Sequence, residues 1–449
     1  MSYLPRTLIL LPICLMAIIG IAGCRSVRAP HAGSGAAPSG DVEPTGWWRE
    51  LGGRSLDAMV DEAFERSPSI EVLAARVEVA KADARLLRAA QVPSVGALGG
   101  ARFGERQEFE TGNQRADVMR YAGAASFAWE VDFWGRVRQL REAGRRKVEA
   151  AGADEAAGHL LLVSEIARIE ISRRRLAAEE GVIAAVLAAN DETVERLREK
   201  AEAGITDENL ADRQAAEGDR LRREIEELRR QRRLAELALD RLLGRDPGYG
   251  DWDEPRTMPR LPKLPEVVET EVLSRRPDLR AAGARVSEAW HLSEAASRDL
   301  LPKLQFTGLA SGRSMQLSPS IDQWVAQVAP TLEVPLWDPV RRAQVERSSA
   351  QARLAAAEYR DAVLRALEET AAALTNLGAQ AKIRRSAERS AESLTAVFER
   401  TREKFAAGVV SQLEVLEDQR RSLDAERAAL RAREAQLAAW IDLKKATGG

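Results

Sequence analysis

Aromatic side chains make up 5% of the 449 residues, with two cysteines and three histidines. His31, His159 and His291 are scattered, and none belongs to an HExxH pair or a Cys/His cluster, so no zinc pattern is present. A GxxxxGK[ST] loop is also missing, which removes the usual cradle for a nucleotide and any energy source within the chain. Charge of one sign is absent too: Lys+Arg 67 stand against Asp+Glu 69. Without a positive field to hold phosphates, a nucleic-acid partner is set aside. The glycine pairs Gly52-Gly53 and Gly99-Gly100 are explained as turns. No catalytic residue, metal or cofactor is expected, and the chain does not read as an enzyme. A last absence is proline between residues 136 and 203. The composition, rich in Ala, Glu, Arg and Leu, suits long helices packed side by side.

The N-terminus carries an address. Arg6 precedes the apolar run TLILLPICLMAIIGIAG, which ends at Cys24 and gives way to a segment rich in Pro, Gly, Ser and Ala. This is the layout of a secretory signal. Ile21-Ala22-Gly23-Cys24 looks like the lipobox of bacterial lipoproteins, so cleavage before Cys24 and covalent lipid on its thiol are expected. An uncleaved anchor fits less well. The run from Thr7 to Gly23 contains Pro12 and lies at the short end of the roughly 17 to 25 residues that a spanning helix needs. Cys14 lies within the signal, so the mature chain keeps only Cys24 and forms no internal disulfide. Arg25 follows the cysteine where an Asp would commonly retain a lipoprotein at the inner membrane, which favours the outer membrane.

The rest of the chain is written twice. REKAEAG begins at residue 198 and REKFAAG at 402, 204 positions apart. RSPSIEVLAARV (66 to 77) returns as RRPDLRAAGARV (275 to 286), and WEVDFWGRVR (129 to 138) returns as LEVPLWDPVR (332 to 341). Three blocks in the same order define two structural repeats. The expected boundaries are a signal peptide over 1–23, a lipidated linker over 24–49, a first repeat over 50–244, a Pro-rich linker over 245–263 and a second repeat over 264–449.

Each repeat has the same internal order. A helical segment, 56–90 in the first, stops near Pro93 or Pro302, since helices rarely pass a proline. Two stretches with strand character follow, separated by Gly and polar residues, which predicts a hairpin in each repeat. Four strands cannot close on themselves, because barrels start at about eight. Closure therefore argues for an oligomer, and in a membrane it is compulsory. After the strands the period changes. Leu162, Ile166, Ile169, Leu176, Ile183, Leu187, Val194 and Leu197 follow a four-three spacing, broken only by Arg173, Glu180 and Asn190, and Leu416, Leu423, Leu430 and Leu437 recur at sevens. These are coiled-coil seams. Gly204 and Gly408 interrupt the helical pattern, with Lys200 or Lys404 in the preceding turn, so each is expected to be the bend of a long helical hairpin. The charge run RREIEELRRQRR (222 to 233) reads as a solvated helix face.

These residues resemble the outer-membrane factor family, the TolC-like exit ducts of tripartite efflux pumps, and within it the lipoprotein branch of NodT/OprM type. WWRELGG, WEVDFWGRVR, VPLWDPVRRAQVERSSAQARLAAAEYRDAVLRALEET and KFAAGVVSQLEVLEDQRRSL carry the likeness. The resemblance implies a mainly α fold with a small β part: helical hairpins forming an α-barrel, and four strands given to a trimeric 12-stranded outer-membrane β-barrel. It implies a homotrimer set in outer-membrane lipid and reaching into the periplasm. Its implied partners are a periplasmic adaptor (membrane fusion protein) and an inner-membrane transporter of the resistance-nodulation-division type. Cys24 would carry the lipid, Lys200, Gly204, Lys404 and Gly408 would form the adaptor-contact tips, and Leu413 and Glu417 would line a periplasmic gate. Lys404-Phe405 stands where many members have Arg-Tyr, and Pro339 where a Gly is common. The implied function is a passive exit duct for small molecules. A periplasmic adaptor or a structural coiled-coil lipoprotein would share the acylated cysteine and the helical hairpins. An adaptor would have one hairpin flanked by soluble β domains, whereas two hairpins alternate with two strand pairs here.

Overall fold

The structure, a computed structural model, describes residues 46–51, 54–108, 115–252, 257–262, 275–313 and 323–449. The expected signal peptide and Cys24 lie outside the described residues. A short 3-10 turn, Trp47–Leu51, leads into α1 (Arg54–Arg66) and α2 (Pro68–Ala89). The sequence predicts one helix here, and the structure divides it. Pro68 disfavours the helical region at Ser67, which takes φ −66° and ψ 123°, and the ring then opens α2 at its first turn. Strands β1 (Ser94–Glu108) and β2 (Arg115–Val131) come next, followed by α3 (Arg136–Glu202) and α4 (Glu208–Leu243).

The order then repeats with α5 (Pro277–Arg298), β3 (Lys303–Arg313), β4 (Gln323–Glu333), α6 (Pro339–Ala406) and α7 (Gln412–Thr447). The lengths match closely: 22 residues in both α2 and α5, 67 and 68 in α3 and α6, 36 in both α4 and α7. At 1.5 Å per residue, α3 and α6 each run for about 100 Å. α4 lies along α3, and α7 along α6.

The main core sits where the turn at Trp47 meets the ends of α4 and α7. Trp47 packs on Trp440 with ring centroids 5.7 Å apart, and Ile166, Leu243, Leu437 and Ile441 are fully enclosed in the same cluster. A second apolar cluster lies nearer the bends, with Leu176, Ile183, Leu221, Ile225 and Leu228 joined by Leu423 of α7. Leu176 and Ile183 belong to the seam that the four-three spacing predicts, and Leu221, Ile225 and Leu228 of α4 bury it.

The strands form one antiparallel sheet in the order β1-β2-β3-β4. Two separate hairpins are expected from sequence. The structure adds a third ladder between them, from Ala122 opposite Arg313 to Val131 opposite Leu304, which joins the two halves of the chain.

Candidate functional site

Strand register sorts the sheet side chains into two faces, because successive residues alternate. One face carries Val95 and Ala97 of β1, Phe127, Trp129 and Val131 of β2, Leu304, Phe306 and Ala310 of β3, and Trp324, Val328 and Leu332 of β4. The opposite face holds Ser94, Ser126, Glu130, Lys303, Gln305, Thr307, Ser311, Gln327, Thr331 and Glu333, with Leu98, Leu309 and Val325 among them. Apolar-out, polar-in alternation is the pattern of a strand between lipid and water. Helix packing does not cover the apolar face, since Val95, Trp324 and Val328 are each more than two thirds exposed. Among the described residues, β1 and β4 are edge strands with a partner on one side only. Such edges are tolerated in lipid only if another chain pairs with them. Among the same residues, no helix is long and apolar enough to cross a membrane.

The sheet is tied to the helices by charged residues from the duplicated WEVDFWGRVR block. Asp132 accepts from the backbone N–H groups of Val137 and Arg138 at 2.9 and 2.8 Å and so caps α3, whose entry at Gly135 takes φ 80°. Asp338 caps α6 by accepting from the Arg341 N–H at 3.0 Å. Arg136 donates two bonds to Glu130, at 3.0 and 2.6 Å, and Arg341 donates to Glu333. Asp299, at the end of α5, lies 2.7 Å from Lys303, 3.6 Å from Arg136 and 3.5 Å from Arg341. One carboxylate therefore bridges both strand-to-helix joints, which fixes the direction in which the long helices leave the sheet.

At the far end of those helices the two bends have the same backbone geometry. Gly204 and Gly408 adopt φ 69° and 74°. The N–H of Ile205 bonds the carbonyl of Lys200 at 2.8 Å, and that of Gly204 bonds Ala201 at 2.9 Å. In the second bend Val409 bonds Lys404 at 2.9 Å and Gly408 bonds Phe405 at 2.9 Å. Each is a Schellman motif, whose left-handed residue is best supplied by glycine. Lys200 and Lys404 thus hold equivalent places, and both side chains are exposed. The following helices are capped by Asp207 and Ser411. Bonds from Asn209 hold the Asp207 carboxyl below the usual carboxylate range. A Schellman bend often folds the residue after its glycine back onto the helix. Here Ile205 and Val409 point outward instead, 73% and 71% exposed. Both bends therefore present an apolar side chain.

The proposed gate residues fall on one side of α7. Leu413 and Glu417 are exposed, and Glu417 faces Arg421 at a loose 3.7 Å. Their neighbours Gln412, Val415, Leu416 and Gln419 turn the other way and line a groove of about 1280 Å³ between the two helical hairpins. Lys200 and Arg402 also border this groove, so it brings the two bends together but leaves Leu413 and Glu417 outside.

The residues that break the predicted seam each have a partner. Asn190 and Gln214 bond each other in the first hairpin, Arg173 pairs with Glu170 at 2.8 Å, and Glu180 reaches Arg229 at 2.7 Å. The periodicity does not reveal Glu179, which is fully buried and pairs with Arg427 and Arg431 of α7 at 2.7 and 2.8 Å. The available signal is the spacing: Arg427 and Arg431 are one helical turn apart and can reach one carboxylate together.

Comparison with known proteins agrees with this geometry. The model of the family described as outer membrane efflux protein matches residues 59–245 and 269–449. The chain is similar to the pyoverdine export outer membrane protein OpmQ of Pseudomonas aeruginosa, at 27% identity over 99% of this chain and 97% of that protein. It is also similar to the outer membrane protein OprJ of Pseudomonas aeruginosa, at 26% identity over 91% and 87%. The solved structure of the outer-membrane channel OprN superposes with a TM-score of 0.79 at 25% identity, covering 90% of this chain and 92% of that one. These matches support a channel rather than an adaptor or a structural coiled-coil lipoprotein. The chain belongs to the outer membrane efflux protein family, and it is a TolC-like channel of the outer membrane that serves efflux as an exit duct of the tripartite-pump kind.

Proposed function

We propose that three copies of this chain close a 12-stranded barrel in the outer membrane, continue it as a helical duct through the periplasm, and hand substrate from a periplasmic adaptor to the outside. The observation that carries this reading is the four-stranded sheet with an apolar face and two edges. A membrane sheet must close, and the family resemblance supplies the number three. Lipid on Cys24 would tether the N-terminus to the outer membrane. The bends at Gly204 and Gly408, with Lys200, Lys404 and the outward Ile205 and Val409, would meet the adaptor. Energy and substrate choice would come from an inner-membrane transporter, for which the resistance-nodulation-division type fits the lipoprotein branch.

Leu413 and Glu417 would form the constriction. Three copies of Glu417 brought near the threefold axis would repel one another and attract cations.

Single-channel recording of the purified oligomer in a planar bilayer tests both levels. A trimeric mass with a steady pore is expected, and Glu417→Ala should raise its conductance. A monomeric mass without conductance would overturn the channel assembly, while an unchanged conductance in the variant would remove Glu417 from the constriction. Deleting 198–204 or 402–408 should leave the trimer intact and abolish efflux in cells. A deletion strain that keeps full drug resistance would refute the adaptor contact.

A further inference from the structure

We infer that Glu179 is a positioning residue for the gate: it clamps α7 to the first helical hairpin partway along its length, so that movement of the gate helix is confined to residues 412–422. This inference rests on the reading of Leu413 and Glu417 as the constriction. The clamp is built from three helices. Glu179 of α3 is fully buried, and its Oε1 accepts from Arg427 Nε at 2.7 Å and from Arg431 Nη2 at 2.8 Å, both on α7. Its Oε2 accepts from Arg175, one turn earlier on α3. Arg427 continues to Glu224 of α4 at 2.9 Å, and Arg175 reaches Glu434 of α7 at 2.7 Å. Arg220 of α4 also donates to Glu224, so four guanidinium groups face three carboxylates, with the exposed Asp424 4.0 Å from Arg427 at the edge.

Burial pushes the Glu179 carboxyl up, but the bond from Arg427 and the charges of Arg431 and Arg175 outweigh it and hold the group below its ordinary value. The carboxylate therefore stays ionised at neutral pH. Removing one member of such a buried set leaves charge uncompensated, which makes the attachment hard to break.

Position gives the clamp its role. Leu423 is the α7 side chain nearest the bend that joins the apolar cluster of the first hairpin. Between Leu430 and the bend a groove separates the two hairpins, and its α3 wall sets the small Ala178, Gly181, Ala185 and Ala189 among the larger Val182, Val186, Glu192 and Arg196. The gate segment is held on its α6 side, where Thr401 bonds Asp418 at 2.8 Å and Thr395 bonds Ser422 at 2.9 Å, and the clamp is its charged attachment to the first hairpin. Glu417 lies ten residues from Arg427, about 15 Å along a helix, a distance over which a rigid helix transmits a shift at the clamp.

The test is the open fraction of the reconstituted full-length channel in planar bilayers. Glu179→Gln should raise it about tenfold, the change that ~1.4 kcal/mol of lost bias produces. Glu179→Asp, which keeps the charge, should recover most of the parent behaviour. Arg431→Gln replaces a half-exposed partner, so it guards against misfolding at the buried site and should shift the open fraction in the same direction by a smaller factor. If Glu417→Ala changes conductance while Glu179→Gln and Arg431→Gln leave gating at the parent level, the clamp is overturned and the constriction stands. If none of the three changes conductance, both readings fall.

Discussion

The two helical hairpins share a bend and differ in what fills them. With a shift of 204 positions, the apolar cluster of the first hairpin falls on small or polar residues of the second: Ile183 on Ala387, Leu221 on Ala425, Ile225 on Ala429, Leu228 on Ala432 and Leu176 on Gln380. The buried amide pair Asn190–Gln214 falls on Leu394 and Asp418, and Asp418 instead accepts from Thr401 at 2.8 Å. Thr395 adds contacts to Ser422 at 2.9 Å and to Glu426 at 3.1 Å. The first hairpin is thus interlocked by large branched side chains, which resist sliding because close packing leaves few alternatives. The second closes on alanines and hydroxyl contacts, each worth only about 1 kcal/mol net. Duplication preserved the backbone and let the interiors diverge, so the hairpin that bears Glu417 is the one with the weaker internal grip.

Substitutions sharpen that contrast. The largest effect is expected for Ile183→Ala, which empties a fully buried site and should cost about 2–5 kcal/mol, read as a lower melting midpoint of the helical signal in the detergent-purified channel. The reciprocal change, Ala425→Leu, should cost about 1–3 kcal/mol by overpacking an interface built for a methyl group. A rise in stability there would show that the second hairpin is loosely filled rather than closely fitted. Gly204→Ala and Gly408→Ala set the baseline. Neither new methyl group would meet an atom within 4 Å, so each should cost only the left-handed backbone penalty of about 1–2 kcal/mol, and by the same amount. Unequal melting shifts for the two glycine variants would mean that the bends differ in more than their interiors.

Much of this was legible in the sequence because it is local. The missing prolines bound α3, the four-three spacing placed Ile183 and Leu197 inward, and the glycine after each lysine marked a bend. The strands were visible as pairs. What remained hidden is non-local: nothing in β2 alone names β3 as its second neighbour, and Glu179 reads like any other charged helix residue until α7 is laid beside it. The break at Ser67 was legible in principle, since a residue before proline avoids the helical region, but the apolar periodicity running through it hid the interruption.

The ladder between β2 and β3 also sets an order of assembly. Val131 pairs with Leu304, and Ala122 with Arg313, so two adjacent strands in space are separated by more than a hundred and seventy residues in the chain. Contacts of that span are slow to form, because a long loop must close before they repay its entropy. Until then β1 and β2 stand as a hairpin with an apolar face and an unpaired edge, the kind of transient surface on which polypeptides aggregate. The central seam of the sheet is therefore a checkpoint in time: the membrane element is completed only after the first pair of long helices has been made and the second half of the chain has returned to meet the first.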